Sequence, residues 1–237
     1  MSQGVGKGRA EGLDSGQLKA LVDLMFSRAS ARKEGLPLNH APETLTRSPA
    51  KLEVLVNALL VFIDKGITDT TVQDLLDASG ISRRTFYKYF RNKLDVLESL
   101  YALAVDIMVL RYRADIADTT SVGELARRFT EVFFAFHRDL APVIRMMQEE
   151  AIRQDSPLAR RRADAMSLVI ELVNRQLVQI CGKPVDPLLL RSLMWGLEAA
   201  SIELLRGGTP ADGDIERSRA VMTHIVEAAL TRPLSVN

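Results

Sequence analysis

Ala78-Ser79-Gly80-Ile81-Ser82-Arg83-Arg84-Thr85-Phe86-Tyr87-Lys88-Tyr89-Phe90 joins two short amphipathic segments through a tight corner. Glycine enters the left-handed conformation without a Cβ penalty, so Gly80 can turn the chain sharply between helices, and Ile81 is an apolar plug for the bend. Ser82 supplies an N-cap oxygen for the helix that follows. Phe86 and Phe90 mark the apolar side of that helix, and its other face carries Arg83, Arg84, Thr85, Tyr87, Lys88 and Tyr89. Upstream, Thr71 and Asp74 have capping-box spacing, and Val72, Leu75 and Leu76 supply a second apolar stripe. Further upstream, Ser48-Pro49 starts a longer helix with Leu55, Ala58, Leu59 and Phe62 on one side. One long helix and two short ones around a glycine corner is helix-turn-helix spacing, and the three apolar stripes can close on one another.

In such a unit the N-terminal residues of the last helix reach base edges in the major groove. Arg83 and Arg84 have the fork geometry for O6 and N7 of guanine, and Thr85 offers a hydroxyl and a methyl. Ser82, at the positive end of the helix dipole, suits a phosphate, and Tyr87, Lys88, Tyr89 and Lys93 can donate to backbone oxygens. An isolated Arg-Arg pair is usually solvated surface, and the tyrosines can be half-buried core. Here charge is segregated as well: residues 47–93 hold eight Lys/Arg against five Asp/Glu, whereas residues 94–237 hold 17 against 20. Lys93 opens the next helix, where its charge opposes the dipole, and that misfit favours an external anion.

The whole chain of 237 residues carries a net charge of only +1, which excludes a chain-wide basic field. Its single cysteine, Cys181, forms no internal bridge, the glycine-rich start lacks the apolar centre of a signal peptide, and apolar runs such as 54–63 fall far short of the roughly 20 residues needed to cross a bilayer. A cytoplasmic protein with no membrane partner is the expectation. Helical periodicity recurs throughout, with Asn92/Asp95 and Ser121/Glu124 as capping pairs and Ser156-Pro157 and Asp186-Pro187 as further starts. The pattern predicts helices over 49–65, 71–78, 83–89, 93–117, 121–137, 142–154, 157–181, 187–206 and 214–230, and no strand. The fold class is all-α, divided as follows: 1–47, a flexible tail, an extra helix near 14–34 and a linker; 48–93, the helix-turn-helix domain; 94–237, a helical domain.

The residues Gly66-Ile67-Thr68-Asp69-Thr70-Thr71-Val72, Ala78-Ser79-Gly80-Ile81-Ser82, Thr85-Phe86-Tyr87, Tyr89-Phe90 and Asn92-Lys93 resemble the N-terminal signature of the TetR family of bacterial transcriptional regulators, over about 45 residues from Lys51 to Leu97. Leu76 stands where that family usually has a small alanine, and Arg84 where a glycine is frequent. The resemblance implies a homodimer on a near-palindromic double-stranded operator, usually a repressor released by a small-molecule effector held in the C-terminal domain. It also implies phosphate contacts from Thr71, Tyr87, Tyr89 and Lys93, and a dimer contact through the last two helices, near 187–206 and 214–230. Those helices contain Gly196, Ala199, Ala200, Ser201, Ala228 and Ala229, small enough for close approach of a neighbour.

The C-terminal two thirds offers weaker signals. Phe133, Phe136, Met146, Met147, Met166, Met194 and Trp195 are adaptable apolar side chains of the kind that line ligand pockets, and they point to a mostly apolar effector. Apolar stripes of this spacing are, however, usually core. The extension near 14–34 can pack, cross the dimer or touch DNA through Arg28, Arg32 and Lys33. Arg160-Arg161-Arg162 reads as a solvated face rather than a second nucleic-acid patch. His40, His137 and His224 have no metal-ligand spacing, and no catalytic set, phosphate-cradling loop or cofactor motif is present, so an enzyme is not expected. His137 is expected to be a satisfied helix-end histidine. The alternative to gene regulation is a helical interaction module whose helix-turn-helix does not read DNA.

Overall fold

A computed structural model of the chain describes residues 49–208 and 210–231; the expected tail, the helix near 14–34 and the linker lie outside them. Among the described residues there are nine helices and no strand: α1 (Pro49–Lys65), α2 (Val72–Ser79), α3 (Arg83–Tyr89), α4 (Lys93–Ile116), α5 (Val122–Asp139), α6 (Ala141–Ile152), α7 (Pro157–Cys181), α8 (Pro187–Leu205) and α9 (Asp212–Thr231). None is long and apolar enough to cross a membrane.

The capping residues act as their chemistry dictates. Thr71 Oγ1 accepts from the Asp74 amide and the Asp74 carboxylate accepts from the Thr71 amide, a complete capping box. Asn92 and Ser121 accept from the amides of Asp95 and Glu124, but the return bonds land one residue earlier, from Arg91 N to Asp95 and from Thr120 N to Glu124. Where no capping side chain exists, the expected bounds slip. Helix α6 begins at Ala141 after Leu140, which makes no side-chain cap, and α9 begins at Asp212 rather than 214.

α1, α2 and α3 close around Leu55, Ala58, Leu59, Phe62, Leu75, Leu76, Phe86 and Phe90, all buried; Val72 is only partly so. Leu76, the larger residue at an alanine position, is therefore accommodated inside this core. The apolar cluster does not stop at residue 93. It continues through Val96, Leu97, Leu100 and Leu103 of α4 into Phe136, Ile144, Met147 and Leu158, and α1 packs directly on α6. A second cluster joins the C-terminal half of α4 to α5, α7, α8 and α9, with Tyr112 stacked on Phe129 at 4.6 Å. Helices α5 and α9 are tied by the hydroxyls of Thr130 and Thr223, 2.6 Å apart. Arg161 and Arg162 are not a plain solvated face: they pair with Glu98 of α4 and Glu198 of α8 and brace α7 between them.

Gly80 sits at φ 65°, and its amide donates to Leu76 O, closing α2. A Cβ there would meet nothing within 4 Å, so the need for glycine is conformational, not steric. Gly80→Ala is expected to destabilise the fold by about 1 kcal/mol and Gly80→Asn by less, since Asn tolerates the left-handed region. Urea denaturation measures both, and an Asn variant as unstable as the Ala variant contradicts this account.

Candidate functional site

Ser82 caps α3, its Oγ accepting from Thr85 N at 3.1 Å and lying 2.9 Å from Thr85 Oγ1. Behind the cap, Phe86 and Phe90 anchor the helix in the core, and this burial turns the opposite face to solvent. Arg83, Arg84, Tyr87 and Lys88 are exposed, while Thr85 and Tyr89 are half-buried. Arg83 donates to Gln73 Oε1 at 2.8 Å, and Gln73 in turn donates to Asp77 at 2.7 Å, a surface relay that aligns Arg83 against α2. Arg84 has no partner among the described residues. Tyr87 meets Phe86 edge-on, and the Lys88 ammonium lies 5.4 Å above the Tyr89 ring. Thr71 is exposed at the start of α2.

Lys93 departs from the expected phosphate role. Its ammonium donates to the carbonyls of Ile67, Thr68 and Thr70 at 2.9, 2.7 and 2.6 Å. An ammonium has three N–H donors, and three carbonyls occupy them. The misfit with the dipole of α4 is thus relieved by the α1–α2 turn, not by an external anion. Lys93 holds that turn, and with it Thr71, against α4. Nearby, Lys65 donates to Asp74 at 2.6 Å, and this bond, with those from Thr71, holds the Asp74 carboxyl down at about 2.

The C-terminal domain forms a cleft, about 80 Å3 in cavity volume, between α4, α5, α6, α7 and α8. Phe133, Phe136, Met147, Met166 and Met194 line it. Met146 and Trp195 do not: Met146 packs against the first core, and Trp195 is 49% exposed on the outer face of α8. Adjacent helical residues point about 100° apart, so one of each Met146-Met147 and Met194-Trp195 pair faces the cleft and the other faces away. A smaller, wholly apolar recess adjoins it and shares Met194.

Sequence reasoning missed the polar groups of this cleft. Tyr101, Gln148 and the Arg162–Glu198 pair all line it. Each is a lone polar residue on a helix, and no spacing signals that they converge. Burial, with lesser help from Glu198, pushes the Tyr101 phenol up to about 12. The Gln148 Oε1 atom is buried without a partner. His137 is satisfied through Nδ1, 2.7 Å from Phe133 O, yet it also lines the cleft, stacked on Phe133 at 3.9 Å. Burial depresses its pKa to about 4, overriding the hydrogen bond to Phe133, which acts in the opposite direction.

Residues 54–100 match the bacterial regulatory proteins of the tetR family. Over 199 residues, 83% of this chain and 90% of the other, the protein is 24% identical to the HTH-type transcriptional activator FasR of Mycolicibacterium smegmatis. It is 33% identical to the HTH-type transcriptional repressor KstR2 of Mycobacterium tuberculosis over 103 residues, 43% of this chain and half the length of that relative. The transcriptional regulator FadR from Bacillus subtilis, solved in complex with stearoyl-CoA, has the same fold, with a TM-score of 0.65 at 16% identity over 75% of this chain and 98% of that one. An all-α body bearing an N-terminal helix-turn-helix head is the architecture of a DNA-binding regulator. With these matches residues 54–100 are a DNA-binding segment of the tetR type, and the chain as a whole is similar in fold to the TetR-family transcriptional regulators.

The buried imidazole makes stability depend on pH. His137 is neutral when folded down to about pH 4, whereas an unfolded histidine gains its proton near 6.5. Between these values the unfolded state binds more protons, so stability is intact above 6.5 and falls as pH drops toward 4, by about 3 kcal/mol in all. Urea denaturation of the wild type and His137→Phe between pH 7 and 4.5 is expected to show a steeper loss in the wild type; parallel losses contradict a buried neutral ring.

Proposed function

We propose that the protein is a homodimeric repressor that binds a near-palindromic operator through α3 and is released by a small, mostly apolar effector in the cleft. One observation carries this reading. Phe136, Ile144 and Met147 belong both to the hydrophobic core of the DNA-binding head and to the wall of the cleft. A ligand that moves those side chains repacks the head's own core, and a close-packed interior transmits such shifts rather than absorbing them. The effector then favours a conformer in which the two heads no longer match successive major grooves, about 34–36 Å apart or a multiple. Both α4 and the α1–α6 contact transmit the change.

In this reading Arg83, Arg84 and Thr85 read bases, with Arg83 aligned by Gln73. Ser82, Thr71, Tyr87, Lys88 and Tyr89 hold phosphates, and Lys93 positions the turn that presents Thr71. An apolar effector accords with the lining of the cleft and with the stearoyl-CoA bound to the FadR neighbour. Repression accords with the KstR2 relative, although FasR is an activator, so the sign is tested by transcription in vitro with and without effector.

The dimer contact is proposed on α8 and α9. Leu188 and Trp195 are spaced seven apart on α8, and Val221 and Ile225 four apart on α9, and they are 65%, 49%, 51% and 44% exposed. These spacings make one apolar stripe per helix, and exposed large apolar side chains so aligned mark an interface. Trp195→Glu is expected to yield monomers by light scattering and to abolish tight operator binding; a variant that remains dimeric places the interface elsewhere.

DNA selected from a random pool provides the operator. On it, the wild type is expected to lose affinity steeply with salt, as phosphate contacts release counterions. Arg84→Ala is expected to lose about 1–3 kcal/mol on the selected site and little on random DNA. Salt-insensitive, sequence-blind binding supports an interaction module instead.

A further inference from the structure

We propose that the effector carries a hydrogen-bond donor, a hydroxyl or an amide N–H, on its hydrocarbon body and gives that hydrogen to His137 Nε2. The inference deepens the reading of the cleft as the effector site and rests on it. A backbone carbonyl only accepts hydrogen bonds, so the 2.7 Å contact between His137 Nδ1 and Phe133 O places the ring hydrogen on Nδ1. Nε2 is therefore left with a bare lone pair, and it has no partner among the described residues. Because Nδ1 is tied and the ring is stacked on Phe133, His137 cannot turn over to present a donor.

The surroundings make that lone pair selective. Phe133, Phe136, Met147 and Met166 form an apolar wall in which an unmet acceptor is costly. Gln148, from α6, adds a buried oxygen without a partner. Its amide can accept through Oε1 or, rotated, donate through Nε2, so it suits either end of a hydroxyl. The one guanidinium in the lining, Arg162, is closed on Glu198. A carboxylate head would thus meet a lone pair and a neutralised ion pair, and would lose its hydration as well. An ether or ester oxygen, which only accepts, can be met by a rotated Gln148 but leaves the His137 lone pair unsatisfied.

Three probes of equal chain length separate these chemistries: 1-decanol, 1-methoxydecane and decanoate, titrated calorimetrically into the full-length chain at pH 7.5. Decanol is expected to bind about tenfold tighter than methoxydecane, the ratio for one buried hydrogen bond, with decanoate weakest. His137→Phe is expected to erase the preference for decanol over methoxydecane; if that variant loses its helical circular dichroism, the ranking in the wild type decides alone. Methoxydecane or decanoate binding as tightly as decanol overturns the donor requirement while leaving the cleft as an effector site. No binding by any probe, together with no release of the selected operator, overturns both.

Discussion

The continuity of one hydrophobic core across the join between head and body is the constraint on which the rest depends. Leu55 and Phe62 of α1, Phe86 of α3 and Leu97 of α4 share a cluster with Phe136, Ile144 and Met147. A head hung on α4 alone would need only that helix to be stiff. A head that also packs through α1 on α6 has its orientation set by side chains that form the wall of a cavity. Apolar burial is non-directional, but dense packing is not, and a change of shape in the wall has to be accommodated in the head.

Around this core, the polar groups divide into those that hold the frame and those that face outward. Lys93, Lys65, Arg161 and Arg162 look from composition like free cations, yet each is bonded to a carbonyl or carboxylate of its own chain. Arg84 and Lys88 are left exposed on α3, and Arg83 is aligned by a relay through Gln73 to Asp77. The positive surface is therefore narrower than a count of Lys and Arg suggests, and on the head it includes the outward face of α3. That arrangement suits recognition by a few aligned donors rather than by a diffuse field.

The cleft joins hydrocarbon walls to acceptors that have no partner. A buried histidine at the C-terminal end of a helix would ordinarily hold its proton, since the dipole there favours a cation. In His137 desolvation prevails, and the bond to Phe133 decides which nitrogen is bare. One hydrogen bond within a helix thereby sets the chemistry offered to a ligand.

Much of this was legible in the sequence because it is local. Helix positions follow from apolar period and caps, so α1, α3 and α7 keep their expected bounds; α6 and α9, which lack side-chain caps at their starts, slip there, α2 lies one residue later than expected, and α5 runs on to Asp139, two residues past its expected end. The outward face of α3 was likewise readable, because Phe86 and Phe90 leave the charged residues only one direction. What tertiary structure alone decided is which of two neighbouring side chains meets a void and which meets a core or solvent. Met147 lines the cleft while Met146 packs away from it, Met194 lines it while Trp195 lies outside, and Lys93 finds three carbonyls more than twenty residues upstream. Period and capping are properties of a single helix; lining and partnership depend on where other helices come to rest, and no spacing along the chain encodes that.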